Sequence, residues 1–167
     1  MSLWLNSDDF TDGDKLNDMH ALSKDFGFGC DGGNLSPHLS WGGDCSEGAK
    51  GWAITCFDPD APTGCGFWHW LVLNIPPQVR TLERGAGNTA SGLLPKGAVQ
   101  MRTDFGATGY GGPCPPPGSS IHRYVFTVHA LSVSELPVPK DATAALVSAN
   151  VTWNSLAKAE LIAVYRR

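Results

Sequence analysis

The chain has 167 residues and a formal net charge of −4, with only 17% of its residues charged against 42% hydrophobic. That length suits one domain, read here as 1–167, and the charge balance excludes the extended basic surface that nucleic acid or an anionic membrane face requires. Twenty glycines and 12 prolines predict short elements joined by tight turns, a β-rich globule rather than a disordered chain.

The amino end, "MSLWLNSDDF", lacks a basic region followed by a long apolar run, and no segment approaches the length of a spanning helix. A cytoplasmic protein without integral membrane association is expected. Five cysteines, at 30, 45, 56, 65 and 114, are odd in number and contain no C-x-x-C pair, so free thiols are expected rather than a disulfide framework or a zinc ribbon.

Along the chain, "LSW" (39–41) is a weak strand candidate and "WAITCF" (52–57) a strong one. Alternation puts Trp52, Ile54 and Cys56 on one face, and Asp58 continues their row as the chain leaves the sheet. The "CFDPDAPTG" stretch that follows is stiffened by Pro59 and Pro62, which hold Asp58 and Ala61 extended. Asp58 and Asp60 are therefore read either as two carboxylates of a site or as a rigid turn whose carboxylates cap backbone amides.

The next strand, "FWHWLVLNI" (67–75), is apolar on both faces and hence central, with His69 sharing the parity of Phe67, Leu71 and Leu73. An antiparallel return through a short connection brings Asp58, Asp60 and His69 to one rim. From 85 to 120 the chain is rich in glycine and proline, the profile of a functional loop holding a short "AVQM" strand (98–101). "TDFG" (103–106) resembles the kinase metal-binding tripeptide, but the other kinase signatures are absent. "GYGGPCPPPGSS" (109–120) reads as the rigid, donor-poor wall of a small pocket, to which Gly112 offers a backbone amide.

In the third strong strand, "HRYVFTVHAL" (122–131), His122 and Tyr124 share a face with Phe126 and Val128 and stand at its beginning, so they join the same rim if the strand is aligned with 67–75. Near the carboxyl end, Leu146, Asn150, Trp153 and Leu156 recur at helical spacing after an Asp141 cap, and "ELIAVY" (160–165) is a weak strand.

"NLSPHLSW", "DPDAPTG", "HWLVLNIP" and "GGPCPPPG" followed by "HRY" together resemble the phosphatidylethanolamine-binding protein family, which includes the Raf kinase inhibitor protein, and within it the bacterial YbhB/YbcL-like branch. The resemblance spans nearly the whole chain. It implies a mainly β fold, a sandwich of two sheets with a few peripheral helices, one near the C-terminus. It also implies a pocket for phosphate-like or headgroup-like anions. By motif position the ligand-binding residues are Asp58, Asp60, His69, Gly112, Pro113, His122 and Tyr124. Neither catalytic activity nor a cofactor is expected. Family analogy implies a kinase or protease partner and a homodimer. Two readings from the residues themselves stand beside this: a metal site built from two Asp and two His, and hydrolysis with Asp as base or Cys114 as nucleophile next to His122.

Overall fold

The computed structural model describes residues 2–44 and 48–167. The elements, in chain order, are β1 (Leu3–Asn6), β2 (Leu39–Gly43), β3 (Gly51–Asp58), β4 (Phe67–Ile75), β5 (Thr81–Leu82), β6 (Val99–Gln100), β7 (His122–Leu131), α1 (Ala144–Asn154) and β8 (Ser155–Tyr165), with two short 3-10 turns at Asp18–His20 and Lys24–Phe26. A small sheet has the order β1-β2-β5 and a large one β6-β4-β3-β7-β8, with every pairing of named strands antiparallel. The fold is mainly β, with two sheets and one α-helix near the carboxyl end.

Both faces of the large sheet are covered, which accounts for the continuous apolar character of β3 and β4. One face meets the small sheet: Trp52, Ile54, Cys56, Trp70 and Phe126 pack against Leu5, Leu39 and Trp41, with the Trp41 and Trp52 rings edge-on at 6.2 Å. On the other face, Ala53, Leu71 and Leu73 pack beneath α1 through Ala144, Val147 and Val151. The row Trp52, Ile54, Cys56 does point inward, as alternation requires.

Alternation fails at His69. Cys56 pairs with Trp70 and Phe57 with Trp68, so His69 is the extra residue of a β-bulge, the device by which a strand re-aims one side chain. The bulge moves His69 away from the face of Leu71 and Leu73 and onto that of Tyr124, whose ring it meets edge-on at 5.1 Å.

The helix turns the opposite face inward from the one its spacing predicts. Thr143, not Asp141, is the N-cap, accepting from the Leu146 amide at 3.2 Å. Leu146 and Trp153 lie exposed, Trp153 at 73%, because the smaller Ala144, Val147 and Val151 fit closer against the sheet; Leu156 already belongs to β8. The expectation of free thiols is also corrected: Cys30 and Cys114 are disulfide-bonded across 84 positions, with Cα atoms 5.9 Å apart. Cys56 and Cys65 are free, and Cys45 lies outside the described residues.

Candidate functional site

The strand order places β3 between β4 and β7, so the carboxyl end of β3 lies among the amino ends of its two neighbours. Asp58 closes β3 opposite Phe67, and one step past the Phe57–Val125 pair stands Tyr124. A cavity of about 280 Å³ opens there, with Asp58, His69, His122 and Tyr124 in its lining. A larger cleft of about 610 Å³ opens beside β6, but no histidine lines it.

Asp58 is 2% exposed and uses both carboxylate oxygens. Oδ2 accepts from His122 Nδ1 at 2.7 Å, while Oδ1 accepts from the Asp60 amide at 2.8 Å and so fixes the turn. The turn reading of this aspartate holds, and the same carboxylate lines the cavity. Because the carboxylate can only accept, His122 carries its proton on Nδ1, and Nε2 is the nitrogen left for the cavity.

His69 is held from the loop side. Its Nδ1 donates to the Gly111 carbonyl at 2.6 Å, and the Gly111 amide returns a bond to the His69 carbonyl at 3.0 Å. Burial pushes the imidazole below its ordinary pKa, against the opposing pull of the Gly111 carbonyl and the Asp58 charge. Burial and the neighbouring Asp58 charge push the Tyr124 hydroxyl upward, so it is a neutral donor at physiological pH.

Three expected site residues lie elsewhere. Asp60 turns out of the cavity to Arg123, whose amide and Nε both donate to its Oδ2 and whose Nη2 donates to its Oδ1, each at 2.9 Å. That guanidinium holds the Asp60 carboxyl below its usual range. Gly112 donates its amide to Asn34 Oδ1 at 2.8 Å, and its lack of a side chain serves packing, since a Cβ there would come within 2.1 Å of the His20 carbonyl oxygen. Pro113 presents its carbonyl to the Leu22 amide at 2.9 Å. Cys114, Pro115 and Pro116 form the wall instead.

The outer part of the cavity is aromatic: Phe28, Phe67 and Phe105 line it, with Phe105 edge-on to both Phe67 and His69. Asp104 also lines it, its Oδ2 accepting from the Trp68 amide at 2.8 Å. Asp104 and Phe105 belong to the "TDFG" string set aside as a kinase look-alike. Their position inside the glycine-rich 85–120 loop was the signal that could have found them.

The metal reading and the Cys114 form of the hydrolytic reading lose residues. Cys114 has no thiol to act as nucleophile while bonded to Cys30. Among the described residues no group of three or more His, Cys, Asp or Glu is arranged to hold a metal ion, since Asp60 faces Arg123 and His69 Nδ1 is committed to Gly111.

Fold and site together define a two-sheet β protein with a buried Asp-His pair, a second histidine and a tyrosine at the rim of its large sheet. The chain belongs to the phosphatidylethanolamine-binding protein family, whose family model, "Phosphatidylethanolamine-binding protein", matches residues 6–166. It is similar to the "UPF0098 protein YbhB" of Escherichia coli, with 49% identity over 163 residues covering 96% of this chain and 98% of that protein. The E. coli "UPF0098 protein YbcL" is 47% identical over 96% of this chain and 86% of its own length. The crystal structure of E. coli YbcL, described as a member of the mammalian PEBP family, superposes with a TM-score of 0.94 at 45% identity, covering 100% of this chain and 99% of that one.

Proposed function

We propose that the protein is a binding protein, not an enzyme, for small ligands carrying a phosphate-like anionic group. The observation that carries this reading is the enclosed Asp58-His122 pair facing the same 280 Å³ cavity as His69 and Tyr124. The donors available to an anion are the Tyr124 hydroxyl and, once the rings are protonated, His69 and the Nε2 of His122, and the phenylalanine wall receives an apolar substituent.

Charge sets the condition for binding. Among the described residues no lysine or arginine lines the cavity, while Asp58 and Asp104 do. A phosphate ester therefore needs protons on the histidines, and an ester that also carries an amine meets the acids with its cation. Neutral His69 spends its one N–H on Gly111, so an anion bound at neutral pH draws a proton onto the ring or brings its own. Calorimetric titration with O-phosphoethanolamine between pH 5 and 8 is the test: affinity rises as pH falls, with net proton uptake. A flat profile contradicts the reading.

Hydrolysis would rest on the Asp58-His122 pair activating water. Ester and phosphoester substrates are expected to turn over at the same background rate with the wild-type protein and Asp58→Asn; a rate lost on that substitution would make the protein an enzyme. Control of a kinase or protease is the part of this reading that stands on family analogy alone.

Location enters through the disulfide. Among the described residues no helix is long and apolar enough to cross a membrane. The Cys30–Cys114 bond favours an oxidising compartment over the reducing cytoplasm expected from the sequence. Thiol counts on protein trapped with alkylating reagent inside cells distinguish the two.

A further inference from the structure

We propose that the Cys30–Cys114 disulfide is a redox-operated latch on the apolar wall of the pocket, a regulation that rests on the anion-binding role proposed above. The cavity has a floor and a wall of different construction. Asp58, His122 and Tyr124 stand on strands of the large sheet, and His69 is clasped by Gly111. None of these supports involves either cysteine of the disulfide.

The wall is different beyond position 113. Up to there the loop is sewn down by hydrogen bonds: Tyr110 to Gly87, Gly111 to His69, Gly112 to Asn34, and Leu22 to Pro113. Pro115, Pro116 and Pro117 have no amide hydrogen, so among the described residues the stretch reaches another element through an amide of its own only at Gly118, which donates to the Arg167 carbonyl at 3.4 Å. Among the described residues it is tied to the rest of the chain by the Cys30 bond and by Arg167, which donates from Nε to the Pro115 carbonyl at 2.7 Å and from Nη1 to the Gly29 carbonyl at 3.2 Å. Phe28, two residues before Cys30, lines the same cavity as Pro115 and Pro116. One covalent bond and one residue, Arg167, therefore tie the proline stretch to the 28–30 segment, while Phe28 also packs edge-on against Phe105 at 5.7 Å.

Opening the latch is an ordinary thiol-disulfide exchange. The thiolate of a small dithiol attacks the sulfur of Cys114, the less buried of the two, and the Cys30 thiolate leaves. The reagent's second thiol then displaces Cys114, forming its own cyclic disulfide. Two electrons pass to the protein, and each cysteine takes up a proton. The proline side of the wall is left on Arg167 alone while the floor is unchanged, so affinity for the apolar part of a ligand falls and affinity for the bare anion does not.

Two probes separate these parts: phenyl phosphate, which reaches the wall, and inorganic phosphate, which does not. Both are titrated calorimetrically into oxidised protein, into protein reduced with dithiothreitol and checked by thiol count, and into the C30S/C114S variant. Reduction is expected to weaken phenyl phosphate about five-fold or more and inorganic phosphate by less than about two-fold. The variant is expected to match the reduced protein and to ignore the reductant. Reduced wild-type protein carries the test whether or not the variant folds. Phenyl phosphate affinity that stays within about two-fold across redox states overturns the latch, as does a bond that dithiol leaves intact in the folded protein. Failure of both probes to bind the oxidised protein overturns the anion reading itself and the latch with it.

Discussion

Asp58 and Asp60 are two positions apart and have opposite energetic roles. Asp58 is enclosed with His122, and truncating one member of such a buried pair leaves the other's hydrogen-bonding group buried and unsatisfied. Asp58→Ala is expected to lower unfolding free energy by about 2–5 kcal/mol and to abolish ligand binding, whereas Asp60→Ala, which breaks a partly exposed pair with Arg123, costs about 1 kcal/mol or less and leaves binding intact. Urea denaturation and ligand titration of the two variants check this; equal losses would put both aspartates in the site. His129 makes a separate prediction. Burial, with help from Lys158, lowers its pKa to about 4, so its neutral form is the folded one. The unfolded chain binds that proton first as pH drops below the ordinary histidine value of 6.5, so the contribution is complete above 6.5 and is lost progressively toward pH 4. Between pH 7 and 5 the loss is up to about 2 kcal/mol, and chemical denaturation of His129→Gln should show a shallower acid limb than wild type. An unchanged limb would remove His129 from the account.

Among the elements, α1 gives the sharpest test of which face packs. Val151→Asp places a charge in the seam against the large sheet and is expected to cost more than about 3 kcal/mol, while Trp153→Asp, on the exposed face, stays within about 0.5 kcal/mol. Thermal denaturation of the pair decides, and the reverse order would restore the face that the Leu146–Asn150–Trp153 spacing predicts. The spacing misled because large apolar residues were taken as the buried ones, and here small β-branched and alanine side chains make the closer contact. The same kind of reasoning succeeded on β3 and β7, where unbroken alternation put Asp58, His122 and Tyr124 on one side of one sheet. On β4 it found the right rim for His69 but assigned the wrong face, because a bulge shifts the phase and nothing in "FWHWLV" marks it. In the loop the proline-rich stretch was read as the wall, yet the lining residues are those just after Gly112 and Pro113, since glycine's freedom is spent on packing against His20.

At the scale of the molecule, the disulfide is the feature least legible in the sequence. Its cysteines are 84 positions apart in an odd set of five, and only the meeting of two irregular loops makes them neighbours. A bond closing so long a loop restricts the unfolded chain considerably, and reduction is expected to lower stability by about 2–4 kcal/mol, measured as a lower denaturation midpoint in dithiothreitol. An unchanged midpoint, with the thiols shown to be free, would leave the bond without a structural role. The pocket joins elements distant in sequence in the same way: β3 supplies the acid, β4 and β7 the imidazoles, and the 103–118 loop the walls. In the proposed function these histidines receive an anion in proportion to their protonation. Calorimetry of O-phosphoethanolamine binding, repeated at pH 5, 6.5 and 8 in buffers of different ionisation enthalpy, measures affinity and proton uptake together. Binding is expected to be tighter at pH 5 than at pH 8 with protons taken up at neutral pH, and both effects to be lost in His122→Ala; binding indifferent to pH and to that substitution would rule out the anion reading.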